Sequence, residues 1–274
     1  MANAIKQVRA VFGMLSPEEI RNRAAKPVIF GLVADNEHAF VEMEEFLAPP
    51  THGLVFRAGY PGVPEKVDLV LYQDGAVGPK GTYTFHRADP RRTAAEIVHG
   101  NDDIGAALAR AYPAFRAPVA ERIVQSIARE NAFFSVATAL PDVIPNLVEL
   151  PWALGEFASD TAFLTANQIR MAFLLAAACD RPVGFGHQKA ELVGIAAGAF
   201  GWRAIARELT GKIPFGGGLI PKGAIAYAVT YGIGKGLERL YHAGAPYSRA
   251  ERREIYRQAY ERGKEVAGGF APER

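Results

Sequence analysis

Apolar positions follow two different rhythms along this chain. Up to residue 113 they come as short runs between turn signals, and from Arg116 onward they recur with a helical period near 3.6. Ser16-Pro17-Glu18-Glu19 is a helix start, with Ser16 as cap, Pro17 in the first turn and Glu19 placed to reach back to the cap amide. Residues 27–33 then form an apolar run that reads as a buried strand. Asp35-Asn36 opens a helix whose apolar face is Phe40, Val41, Met43, Phe46 and Leu47, and Pro49-Pro50 stops it. Extended segments are predicted at 53–60, 67–72 and 82–86, and Asp89-Pro90 starts another helix that runs toward Val98. Strand, helix and further strands predict a compact sheet with helices packed on it.

The second half predicts helices near 116–139, 143–158, 160–179, 188–209, 222–242 and 248–266, punctuated by Pro141, Pro145, Gly184, Gly186, Gly211 and Gly244. Two of them carry small residues at every fourth position: Ala190, Gly194 and Gly198 on one, Ala224, Ala228, Gly232 and Gly236 on the other. Glycine inside a helix costs about 1 kcal/mol against alanine. A repeated stripe of it implies a compensating close approach of two helices, either to each other or to a partner helix or lipid interface. Asn167 and Gln168 interrupt an otherwise apolar helix and call for hydrogen-bonded partners in a structural network or a partner site. The last helix opens with a second capping box, Ser248 to Glu251. It is charged on most of its surface, as a solvated lid or an interaction face would be.

Composition removes several function classes. Thirty-one Lys and Arg against 29 Asp and Glu leave a net charge of +2, too little to gather nucleic acid, and Arg249, Arg252 and Arg253 lack aromatic interleaving. The one cysteine, Cys179, follows an apolar helix beside Asp180 and reads as a small core residue, with no disulfide to form. The six histidines show no metal-ligand spacing, and no Gly-x-Ser-x-Gly elbow is present, so no metal, cofactor or catalytic residue is expected. The carboxylate pair Asp102-Asp103 precedes an alanine-rich helix, where capping and the macrodipole account for it. The N-terminus lacks the unbroken apolar core of a secretory signal. The most apolar stretch, 213–234, is divided by Pro214, Pro221 and Lys222. A cytoplasmic protein is expected, with peripheral contact at the inner membrane face as an option.

The turn after the first strand, Gly31-Leu-Val-Ala-Asp-Asn-Glu-His38, stands where a nucleotide-binding sheet carries its phosphate loop. It has no Gly-Lys-Ser/Thr, and Asp35 and Glu37 would repel phosphate. His86-Arg87-Ala88-Asp89 is a loose echo of a guanine-reading motif, and Gly216-Gly217-Gly218 follows a helix and reads as a hinge.

The stretches Glu130-Asn131-Ala132, Leu164–Met171, Ile213–Gly218 and Ala228–Gly234 resemble domain-of-unknown-function family 697, the YcjF-like group of bacterial helical domains found beside or after GTPase-like domains. The resemblance implies membrane association or linkage to a GTPase, and it brings no catalytic residues. It also implies that residues 1–113 are a GTPase-like α/β domain without its phosphate loop, and that residues 114–274 are an all-α bundle. The expected function is a non-catalytic adapter or scaffold that docks a protein partner, a second copy or a membrane surface through its helical domain. The alternatives are an atypical nucleotide hydrolase, with Asp89 reading the base, and a structural subunit of a larger assembly.

Overall fold

The structure, a computed structural model, describes residues 16–47, 50–59, 66–138, 160–197 and 218–270. The chain divides into two compact units. Described residues 18–121 and 174–183 make a sheet unit, and 122–138, 160–173, 184–197 and 218–270 make a helical unit. The sheet unit thus runs past residue 113 and takes in a second, distant segment.

In the sheet unit, helix α1 (Pro17–Ala24) leads into strand β1 (Ile29–Ala34), helix α2 (Glu37–Leu47) and strand β2 (Leu54–Gly59). Strands β3 (Leu69–Tyr72) and β4 (Tyr83–Thr84) follow, then helices α3 (Pro90–Gly100) and α4 (Gly105–Ala111). All four strands are parallel, in the order β2-β1-β3-β4. Phe30, Leu32 and Val33 of β1 are fully buried, as a central strand covered on both faces requires. The strands begin and end within a few residues of expectation. Just past the shortest, Phe85 still donates to the Tyr72 carbonyl, and the His86 amide, which faces away from β3, donates to the Thr93 hydroxyl at 2.8 Å.

One side of this sheet is closed by aromatic packing. Phe30 lies 4.9 Å from Tyr112 and 5.8 Å from Phe115, and Phe46 of α2 lies 5.7 Å from Phe115 and 5.4 Å from Phe85. The Tyr112 hydroxyl sits 2.7 Å from the Val28 carbonyl and 2.8 Å from that of Leu54, sharing its proton between the ends of β1 and β2. Burial pushes its phenol pKa well up, so it stays neutral. Gly53 is required here, because a Cβ would lie 2.3 Å from the Tyr112 ring. Asp89 caps α3 by accepting from the Arg92 amide, with Pro90 in the first turn. Asp102 and Asp103 start a 3₁₀ turn, Asp102–Ile104, that feeds α4. A second 3₁₀ turn, Pro113–Phe115, precedes the next helix.

The helical unit draws on α5 (Arg116–Ala137), α6 (Asp160–Ala178), α7 (Lys189–Ala197), α8 (Leu219–Ala243) and α9 (Arg249–Gly268). The expected helix at 143–158, and the second half of that at 188–209, lie outside the described residues. Helix α8 is buried almost all round, from Gly223 and Ala224 to Leu237 and Tyr241, which makes it the central helix of its unit. Gly244, at φ +67°, ends it in the left-handed conformation that glycine adopts without strain. Helix α9 starts at the expected capping box. It packs on the bundle through a buried stripe, Tyr256, Ala259, Gly263 and Ala267, with Gly263 against α8, and carries its charges on the remaining surface.

Candidate functional site

Two places gather polar groups that a core does not need. The first is the carboxyl-terminal edge of the sheet. The connection from β1 leads one way, to β2, and that from β3 leads the other way, to β4, and open α/β sheets bind ligands in the crevice over such a point. Asp35-Asn36 follows β1, and Gln73-Asp74-Gly75 follows β3.

Asp35, Asn36 and Gln73 are bonded to one another. The Asp35 amide donates to Gln73 Oε1 at 2.9 Å, Asn36 Nδ2 donates to Asp35 Oδ1 at 2.6 Å, and the Ala39 amide donates to Asn36 Oδ1 at 2.9 Å. Hydrogen bonds from Gln73 and Asn36 hold the Asp35 carboxyl below its usual range, so it is a carboxylate at neutral pH. The neighbouring cations are engaged too. Arg87 pairs with Glu42 at 2.6 Å, and Arg57 is gripped by Glu44 at 2.6 Å and Glu37 at 2.8 Å, with its guanidinium over the Phe40 ring. An anion here would meet a carboxylate, and the helix-start amide of Ala39 that could greet it is already capped. Among the described residues no group of His, Cys, Asp and Glu has the arrangement of a metal site. Asp89, expected as a possible base reader, is the α3 cap.

The second place is a polar layer inside the helical unit. Asn131 of α5, Asn167 and Gln168 of α6 and Thr230 of α8 are all buried. Asn131 Nδ2 donates to Thr230 Oγ1 at 2.8 Å, and Asn167 Nδ2 donates to Asn131 Oδ1 at 2.9 Å. Gln168 Nε2 lies 3.4 Å from the same Thr230 oxygen, whereas its Oε1 is buried without a hydrogen-bond partner. Beside the layer, Glu130 and Arg170 form an ion pair. Asn167 and Gln168 therefore face their own neighbours. Asn131 and Thr230 complete the network, and the available signal for them was the same: a polar residue inside an apolar helical face.

The small-residue positions divide. Ala224, Ala228 and Gly232 are buried, while Gly236 is half-buried. Ala224 meets Gly263 of α9, where a Cβ would come within 2.9 Å of the Ala224 carbonyl oxygen. A Cβ on Gly223 would meet Val136 of α5 at 2.7 Å and Ala267 of α9 at 2.8 Å, and one on Gly234 would meet Val124 at 2.6 Å and Met171 at 2.9 Å. On α7, Ala190 is exposed and Gly194 half-buried, next to Val193 at 66% exposure. Gly198 lies outside the described residues. Cys179 is half-buried at the end of α6 rather than deep in a core. No helix among the described residues is long and apolar enough to cross a membrane.

The fold and these sites define a class: a small, wholly parallel α/β sheet unit together with a helical unit built around a glycine-rich central helix. No protein-family model, curated protein or solved structure matches the chain.

Proposed function

We propose that this protein is a non-catalytic adapter or scaffold, whose sheet unit is GTPase-like but carries no nucleotide, and whose helical unit docks a protein partner or a membrane surface. One observation carries the reading. Asp35, Asn36 and Gln73 close on one another at the point where a nucleotide-binding sheet would present free amides and a lysine. The resemblance of the helical half to the YcjF-like group supports the same reading, since that group accompanies GTPase-like domains. Of the described small-residue positions, Ala190 is the exposed one, with Val193 beside it, and this part of α7 is the favoured docking face.

The test is a calorimetric titration of the full chain with GTP and with ATP in the presence of magnesium. No saturable heat is expected up to millimolar nucleotide. Saturable binding that disappears in Asp89→Ala would overturn the reading in favour of a hydrolase with an unorthodox loop.

A further inference from the structure

Among the described residues the outer edge of the sheet unit is unpaired. Strand β2 ends the strand order, and no strand among the described residues pairs with its outer side. Its six residues stay in unbroken register with β1, from Ile29↔Leu54 to Ala34↔Gly59, so no bulge twists the edge away. The strand contains no proline and one charge, Arg57, which turns to the α2 side and is held there by Glu44 and Glu37. Leu54 and Phe56 point to the opposite face and are 53% and 51% exposed. Protein sheets ordinarily protect an edge with charge, proline or a bulge; in β2 the one charge, Arg57, is drawn back onto α2, and the strand has no proline and no bulge.

The direction of its main chain is also fixed. The Leu54 amide donates to the Val28 carbonyl. In a parallel ladder alternate residues turn both main-chain groups to the same neighbour, so Leu54, Phe56 and Ala58 bond β1 while Val55 and Arg57 turn theirs outward.

We propose that β2 pairs with β2 of a second copy of this chain, antiparallel, about a two-fold axis at Phe56. The strand is its own complement in that register. Phe56 meets its symmetry mate at a position without direct main-chain bonds, where side chains approach most closely, and Leu54 lies opposite Ala58 on the same apolar face. Val55 and Arg57 exchange the main-chain bonds. The two Arg57 side chains are never opposite one another, and each is already neutralised within its own copy, so charge does not oppose the pairing. The contact is isologous and closes at two subunits, giving one continuous eight-stranded sheet.

Sedimentation equilibrium of the full chain, from micromolar to submillimolar concentration, tests this. The weight-average mass is expected to rise two-fold toward a dimer. Val55→Pro deletes an outward amide and spares the β1 ladder, and Phe56→Lys places a charge at the axis. Both variants are expected to remain monomeric with unchanged far-ultraviolet circular dichroism. A wild-type chain that is monomeric at the highest concentration, or a dimer that survives Phe56→Lys, overturns the proposal. If Val55→Pro fails to fold, Phe56→Lys decides alone.

Discussion

Asn131 and Gln168 sit in one polar layer and have opposite ledgers. Asn131 both donates to Thr230 and accepts from Asn167, so Asn131→Leu strands a buried amide on Asn167. That is expected to cost about 1–3 kcal/mol in urea unfolding. Gln168 already leaves Oε1 without a partner, so Gln168→Met removes an unsatisfied acceptor along with one long contact. It is expected to change stability by less than about 1 kcal/mol. Equal losses in the two variants would show that the layer does not act as a hydrogen-bonded network. At this scale the sequence announces that Asn167 and Gln168 need partners, because an amide in an apolar helix has no other recourse. It does not say which side chains answer, since Asn131 and Thr230 reach them across 36 and 62 residues of chain.

Elements were legible where local chemistry sets them. The capping box at Ser248, the proline start at Asp89-Pro90 and the apolar run of β1 are each decided within a few residues of sequence. Pairing between elements was not. The stripe Ala224/Ala228/Gly232/Gly236 is expected to meet either its sister stripe or an outside partner, whereas Ala224 meets Gly263 in the charge-rich α9. Charge on the outer face of α9 hides the same small-residue spacing in Ala259, Gly263 and Ala267. Close backbone contact makes Gly263→Ala informative. The added methyl would press on the Ala224 main chain, which cannot rotate away, and the strain is expected to outweigh the better helix propensity by about 1–3 kcal/mol. Gly268→Ala has open space and is expected to leave the melting temperature unchanged or raise it. A stable Gly263→Ala would mean that the two helices separate freely.

The whole molecule carries a common acid response. Hydrogen bonds from Arg57 hold the Glu44 carboxyl below its ordinary value of 4.5, those from Arg92 and then His86 do so for Glu96, and those from Ser248 do so for Glu251. Each is depressed in the folded chain, so its contribution to stability is complete above pH 4.5 and is lost as pH falls through the lower, folded value. Thermal melting is therefore expected to be flat with respect to these groups from neutrality to about pH 5 and to drop below it. Glu44→Gln should make that drop shallower, and an unchanged profile would remove Glu44 from the account. The division into units was the least legible feature, because nothing local ties residues 174–183 to the sheet unit.

That distant segment imposes an order in time. Arg110 closes its ion pair with Asp180, 70 residues further along, and Arg21 reaches the Val183 carbonyl across 162 residues. Translation adds roughly 5–20 residues each second, so several seconds separate the emergence of β4 from that of Asp180. During that interval the nascent sheet waits with its last contacts unmade and its β2 edge uncovered. Neighbouring chains on one messenger would meet while those strands are still incomplete.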